Sequence, residues 1–579
     1  MRNEELSMRK RWGFFRFFII LILLAYPFSG AAEGNKAVVG KNGMVVSVDK
    51  YASKVGIEIL KKGGNAVDAA VAVGFALAVT FPSAGNVGGG GFMIIRFPDT
   101  KEAVALDFRE MAPGKATPDM YLDDKGSYVK ERSLFGHLAV GVPGTVKGFE
   151  LAMERYGSLK WEDVIKPAFE LAEKGFKLNK RRADSFNMLN KMFKQGTKEF
   201  FRIFSKTDGS EFKEGDIFIQ KDLARSLKLI AEHGSEAFYK GQIAELIAQD
   251  MKRNGGLITK EDLGKYKASI RTPVTGTYHG YQIISMPPPS SGGTILIEML
   301  NILEGYNLGQ MERYAPETLH LIAETMKFAY FDRAKYMGDT DFVEVPVELL
   351  TSKRHAEEIR EKIDPKKAIL SRKMGQEILT LERAKETTHY SIIDKKGLAV
   401  ATTYTLNGGF GSGVVAEGTG ILLNNEMDDF NVKPGYTDDK GLIGTKPNLI
   451  EPHKRMLSSM SPTIICKDGK VLMITGSPGG RTIINTVLNV IVNVLDFNMP
   501  IQNAVDAIRM DHEWMPDILR LERKGLPNEL IELLRAMGHT IGKSLSWRQG
   551  DAHSIFIDPE TGLYHGAADR RSKGSAIGY

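Results

Sequence analysis

Between residues 68 and 79 the chain reads Asp-Ala-Ala-Val-Ala-Val-Gly-Phe-Ala-Leu-Ala-Val, apolar on every side. A helix without a polar stripe has no face to offer water, so this pattern predicts a helix buried all round. Around it, residues 38–110 read as strand, helix, buried helix, strand. From about 144 to 365, apolar positions recur at helical spacing, as in 235–253 and 316–336, with Gly or Asn at many of the stops. From 388 the texture changes to strands and hairpins, and one long apolar helix follows near 482–495. Strands at both ends with helices between and after them predict a layered α/β fold, with helices covering both sheets. The connector Pro287-Pro288-Pro289-Ser290-Ser291-Gly292-Gly293 is stiff and extended, leading into a helix from Thr294; on sequence alone it is also simply a loop.

The first residues follow another pattern. Arg2, Arg9, Lys10, Arg11 and Arg16 precede an apolar run at 17–28, which ends in Ser29-Gly30-Ala31-Ala32. A basic stretch, a short apolar stretch and a small-residue site are the marks of a signal peptide, expected here to be residues 1–31. The apolar run is 12 residues, whereas a membrane span needs about 20. No cysteine sits near the cleavage site, which argues against a lipid anchor. The expected location is therefore periplasmic or secreted, with no stable membrane anchor after cleavage. This segment holds five Lys/Arg and two Asp/Glu, a net of +3 out of the chain's +6. Half of the basic character is thus targeting signal, and no nucleic-acid partner is expected. With 42% hydrophobic and 26% charged residues, the remainder is an ordinary globular composition. The single cysteine, Cys466, lies in an apolar run and reads as a small buried side chain.

Several chemistries are disfavoured. Gly538-His539-Thr540-Ile541-Gly542-Lys543-Ser544 has three residues between its glycines where a phosphate loop has four, and it runs from helix to strand, the reverse order. Gly88-Gly89-Gly90-Gly91 lacks the spacing and downstream acid of a dinucleotide site and reads as tight packing or a turn. The 11 histidines form no His-Glu-x-x-His pair or other ligand cluster that the sequence reveals, and no Gly-x-Ser-x-Gly elbow occurs. No metal, nucleotide or cofactor is expected.

The informative stretch runs from Glu386 to Asn407. Lys395-Lys396-Gly397 reads as a three-residue hairpin loop with Gly at the position that needs φ > 0. If Asp394 faces Leu398, the same register sets Thr387 opposite Thr405, within one residue, with Asn407 close by on that face. As structure alone, this is a Thr-rich hairpin. Other segments add to it. Residues 420–430 run an apolar strand into Glu426, Asp428 and Asp429. Residues 456–462, Met-Leu-Ser-Ser-Met-Ser-Pro, form a hydroxyl-rich loop. Thr475-Gly476-Ser477-Pro478-Gly479-Gly480 ends a strand and opens a helix, so its N–H groups can face an anion. Asp107-Phe108-Arg109-Glu110 ends a strand with a guanidinium. Each alone also reads as a solvated turn, a cap, a helix start or a surface charge.

Together, Thr-Thr-His-Tyr-Ser, Asn-Asn-Glu-Met-Asp-Asp-Phe, Leu-Ser-Ser-Met-Ser-Pro-Thr, Gly-Ser-Pro-Gly-Gly and Asp-Phe-Arg-Glu-Met-Ala-Pro resemble the γ-glutamyltranspeptidase family in order and spacing, from about residue 36 to the end. The resemblance implies a four-layer αββα sandwich of the N-terminal-nucleophile hydrolases, one compact unit cleaved into two chains that stay associated. It implies self-cleavage between Glu386 and Thr387, giving a large chain 32–386 and a small chain 387–579. Thr387 would be the nucleophile, Thr405 would steady its amine, and Gly479 and Gly480 would form the oxyanion hole. Arg109, Ser458 and Ser459 would hold the substrate's α-carboxylate; Asn407, Glu426 and Asp429 would hold its α-amine. The implied partners are a small γ-glutamyl donor, such as glutathione, and water or an acceptor amino acid or peptide. Two departures stand out. Lys440, with Tyr436 nearby, occupies the place of a Tyr in the lid of some bacterial relatives, and the ending Gly566-Ala567-Ala568-Asp569-Arg570-Arg571 lacks the family's usual Pro. The rival within the fold is a cephalosporin or glutaryl acylase, against which Glu426 and Asp429 argue. A more remote rival is a secreted binding protein with a dead catalytic centre.

Overall fold

A computed structural model describes residues 36–192, 196–374, 387–436, 444–522, 526–542 and 548–579. The signal segment, Glu386 and Lys440 lie outside the described residues. From Ala37 to Tyr579 the described chain forms one unit.

Two seven-stranded sheets make its centre. The first runs, in spatial order, Val38–Gly40, Tyr564–Ala568, His553–Ile557, Lys470–Thr475, Thr463–Lys467, Tyr281–Ser285, Val274–Tyr278. The second runs Ser575–Gly578, Gly43–Ser47, Thr387–Asp394, Ala399–Thr405, Gly90–Arg96, Ala103–Phe108, Ser269–Arg271. Neighbouring strands in both are antiparallel.

The second sheet is buried on both faces, and the period-2 alternation of strand side chains shows how. Val45, Met93, Ile95, Tyr390, Ile392 and Val400 point into one hydrophobic core. Met44, Val46, Phe92, Ile94, Ile393 and Ala401 point into another, shared with Ile283, Ile464 and Ile474 of the first sheet. The first core is closed by helices Lys50–Lys61, Ala66–Thr80, Thr145–Tyr156 and Trp161–Lys174; the second includes Gly292–Leu303, Pro316–Tyr336 and Ile483–Leu495. The result is helix, sheet, sheet, helix: an αββα sandwich.

Local expectations fare well. All 15 residues of helix Ala66–Thr80 are buried, and Asn65 and Asp68 close a reciprocal capping box at its start. Helix Pro316–Tyr336 has the predicted bounds, and Cys466 is buried. Two expectations fail: the helical stretch 144–365 also carries strands Ser269–Arg271, Val274–Tyr278 and Tyr281–Ser285, and 235–253 is not a single helix. It breaks into Glu236–Tyr239 and Gln242–Arg253, because the Gly241 N–H turns back to the Glu236 carbonyl (2.8 Å) and Gly241 then caps the second helix.

Candidate active site

The hairpin turns at Gly397, whose φ is 85°, and Asp394 Oδ1 accepts from Lys396 N at 2.8 Å and Leu398 N at 3.2 Å. The register sets Thr387 opposite Thr405, as the sequence implied. Their Oγ1 atoms are 3.3 Å apart. Thr405 ends its strand against the glycine run: a Cβ on Gly89 would lie 2.1 Å from the Thr405 carbonyl oxygen. Asn86 Nδ2 donates to that same oxygen at 2.8 Å. The four glycines therefore serve close approach of backbones. Asn407 adopts φ 72° and donates its N–H to Thr405 Oγ1 at 2.7 Å. Its Nδ2 donates to the Asn425 carbonyl at 3.0 Å, while its buried Oδ1 has no hydrogen-bond partner. A buried acceptor left unmatched costs about 1–3 kcal/mol, so Asn407 Oδ1 is an opening for a donor.

Arg109 follows strand Ala103–Phe108 and is fully buried. Its backbone is held at both ends: Arg109 N donates to Asp107 Oδ1 at 3.0 Å, and Tyr266 Oη donates to the Arg109 carbonyl at 2.8 Å. The guanidinium donates to the Met456 carbonyl (3.2 Å), to Glu426, and to Asp429 Oδ2 (2.5 Å). Glu426 and Asp429 come from one short turn, Glu426–Asp429. Asn424 fixes that turn, accepting from Glu426 N and Gly141 N and donating to the Gly88 and Gly141 carbonyls. A third acid, Glu110, lies 3.6 Å from Arg109 Nη1, fully buried with neither carboxylate oxygen hydrogen-bonded. Burial, then repulsion from Glu426, push its carboxyl well above the ordinary range.

The serine loop has an arginine of its own. Arg333, on helix Pro316–Tyr336, donates to Ser459 Oγ at 2.8 Å and to Ser291 Oγ at 2.9 Å. Burial and the neighbouring Arg481 pull its guanidinium down to about 10. Ser458 Oγ accepts from Met460 N at 3.1 Å. The proline-rich connector is more than a loop: Ser291 N donates to the Ser458 carbonyl (2.8 Å) and Ser458 N to the Pro289 carbonyl (2.9 Å), bracing the serines from behind.

Arg109, Thr387, Thr405, Asn407, Glu426, Asp429, Ser458, Ser459 and Gly480 share the wall of one cavity. Gly479 is not in that wall; it sits one residue back in the strand-to-helix turn, with φ 136°. Tyr436 is 44% exposed and also outside the wall. Arg333, Arg481 and Asn448 line the cavity but were missed from sequence. His389 of the Thr-Thr-His-Tyr-Ser motif lies outside the wall, between Thr403 Oγ1 (2.8 Å) and Ser391 Oγ (3.1 Å). Burial holds its imidazole neutral, well below its usual value, so it reads as structural support beneath the hairpin.

The family model described as gamma-glutamyltranspeptidase matches residues 52–579. The chain belongs to the γ-glutamyltranspeptidase family. It is similar to the glutathione hydrolase proenzyme of Escherichia coli K12, at 51% identity over 532 residues, 92% of this chain and 91% of that one. It is also similar to the acylase ACY 1 proenzyme of Pseudomonas sp. V22, at 37% identity over 94% of each chain. Among solved structures, the cephalosporin acylase of Bacillus halodurans superposes with a TM-score of 0.83 at 28% identity, covering 96% of this chain and 98% of that one. The γ-glutamyltranspeptidase fold is thus common to transpeptidases and acylases, and the cavity has to distinguish them.

Proposed function

We propose that this protein is a self-processing γ-glutamyltransferase and hydrolase that acts on glutathione and related γ-glutamyl compounds. One observation carries the reading: beside the Thr387–Thr405 hydroxyl pair, a buried guanidinium faces two carboxylates, Glu426 and Asp429. That is the charge complement of a free α-amino acid end. The one guanidinium pairs with both carboxylates, a single positive charge set against two acids. A γ-glutamyl donor would insert its α-carboxylate at Arg109, with Ser458 and Ser459, and its α-ammonium at Glu426, Asp429 and the unmatched Asn407 Oδ1. Charges already removed from water would exchange partners, so binding would cost little further desolvation.

Cleavage of the Glu386–Thr387 peptide would free an α-amine on Thr387, with an ordinary pKa of about 7.7–8.0. A threonine hydroxyl needs such a base beside it. Thr387 Oγ1 would attack the γ-carbonyl while the amine takes its proton. Thr405 would steady that amine, and the N–H groups of Gly479 and Gly480 would receive the oxyanion. Collapse would return the proton to the leaving amine and leave a γ-glutamyl ester, which water or an acceptor amine would then resolve. Export to the periplasm or medium belongs to the same proposal and rests on the pattern of residues 1–31. No helix among the described residues is long and apolar enough to cross a membrane.

The likeness to acylases favours a second reading, preference for a glutaryl donor that lacks the α-ammonium. Two acids facing the cavity weigh against it. The test is a denaturing gel with N-terminal sequencing of the smaller band, then turnover of γ-glutamyl and glutaryl p-nitroanilides. The expected result is two bands, the smaller starting at Thr387, and strong preference for the γ-glutamyl donor. An uncut Thr387→Ala chain is expected; cleavage of that variant at the same bond would overturn the role of Thr387.

A further inference from the structure

Outside the cavity, three helices bring Glu298, Asp332 and His355 together. They sit on Gly292–Leu303, Pro316–Tyr336 and Lys353–Arg360 respectively. His355 Nε2 lies 2.7 Å from Asp332 Oδ2 and 3.8 Å from Glu298 Oε1. One ligand atom from each residue falls within 4.8 Å of the other two. Glu298 is fully buried, and neither of its carboxylate oxygens has a hydrogen-bond partner. Buried polar groups are almost always matched, so an orphaned carboxyl aimed at an imidazole and a second acid calls for a partner.

We propose that Glu298, Asp332 and His355 form a binding site for one divalent first-row transition-metal ion, such as zinc or cobalt. Two carboxylates would balance the ion's charge, and neutral imidazole is a ligand suited to these metals, whereas calcium and magnesium favour all-oxygen sites. Zinc ligand bonds are about 2.0–2.2 Å, which spaces the donors of a tetrahedral site about 3.3 Å apart. The observed spacings of 2.7 and 3.8 Å bracket that value, and all three donors fall within 4.8 Å of one another. The side chains of His355 and Asp332 retain 14% and 10% exposure, which gives an ion a way in. Three protein ligands leave a fourth position for water.

A second convergence, His320, Glu324 and His539, lacks this character. There the two imidazoles bond each other at 2.8 Å, and Glu324 already receives the Lys327 ammonium and the Ile369 N–H. The Glu298 site also has a structural consequence. Asp332 directly precedes Arg333, which holds Ser459, so the ion would brace the helix that supplies Arg333 to the cavity wall.

The experiment uses the purified enzyme in the form it takes after any processing, stripped with a chelator, incubated with Co²⁺ and freed of excess by gel filtration. Expected are about one cobalt per molecule, a visible d–d absorption, displacement by Zn²⁺, and a thermal midpoint raised by the metal. His355→Ala, at the exposed edge, should cut retained cobalt by about tenfold or more while folding normally; Glu298→Gln should do the same, and His539→Asn should not. Full retention by His355→Ala, or loss caused by His539→Asn, would overturn the assignment. So would a wild type that holds no cobalt, in which case Glu298 simply carries a proton.

Discussion

Replacing Asp429 with Asn removes one charge from the cavity and keeps the side chain's shape and one carbonyl acceptor. The Asp429 side chain is 13% exposed and 2.5 Å from Arg109 Nη2, so solvent screens its charge little. If it receives the substrate's α-ammonium, the substitution weakens a charge-assisted hydrogen bond of about 1.5–3 kcal/mol, a loss of about 10–150-fold in kcat/KM for γ-glutamyl p-nitroanilide. The substitution also loosens Arg109, and that effect has to be separated. A glutaryl donor provides the separation, because it keeps the carboxylate that Arg109 would grip and lacks only the ammonium. Damage through Arg109 falls on both donors and cancels in their ratio. What remains in the ratio is the reading of the ammonium. The assay is therefore kcat/KM for both p-nitroanilides in wild type and in Asp429→Asn. The ratio should fall by about 10–150-fold; an unchanged ratio refutes the role of Asp429 and strengthens the acylase reading.

Arg109→Ala should lose about 2–3 kcal/mol in kcat/KM, about 30–150-fold, mostly in KM if ground and transition states are gripped alike. Self-cleavage needs no donor and should survive in that variant; a wild-type KM would remove the clamp. Glu110→Gln tests the buried acid. With its carboxyl raised in the folded protein, Glu110 favours folding fully below the unfolded-state value near 4.3 and progressively less as pH rises toward its folded-state value. Gln removes that penalty, so the variant's thermal midpoint should gain on wild type at pH 7.5 relative to pH 4. Equal differences at both pH values would mean that Glu110 ionises normally.

What the sequence could reveal follows from the range of the interactions. The hairpin was legible because a glycine turn and one facing pair set every other pair, and Thr387 against Thr405 is a local consequence of Gly397. The buried helix Ala66–Thr80 was legible because lack of a polar stripe is a property of a single segment. The break at Gly241 was not, since the apolar period continues through it and only the returned N–H bond ends the first helix. Arg333 was invisible for a different reason. It looks like any cation on a long helix, and its partners Ser291 and Ser459 lie 42 and 126 positions away. Asn424 similarly sets the acidic turn through Gly141 and Gly88, contacts that no spacing rule connects. The family resemblance supplied the site residues that local reasoning left as a hydroxyl-rich hairpin and an acidic turn.

If the chain is cut before Thr387, the order of strands governs what happens next. In the second sheet, Gly43–Ser47 lies between Ser575–Gly578 and Thr387–Asp394, and Gly90–Arg96 pairs with Ala399–Thr405. In the first, Val38–Gly40 pairs with Tyr564–Ala568, and Tyr281–Ser285 pairs with Thr463–Lys467. Each of these pairings joins a strand before residue 387 to one after it. Both hydrophobic cores likewise draw on both sides of the cut, with Val45 and Val400 in one and Phe92 and Ile464 in the other. Separating the chains would therefore dismantle both sheets and both cores together, which amounts to unfolding. Backbone ladders and apolar burial are little affected by salt, which screens only exposed charges. The processed chains should co-elute in gel filtration at 1 M salt and part only in denaturant, with separation and loss of secondary structure sharing one midpoint. A folded small chain released below that midpoint would refute this account of how the two chains are held.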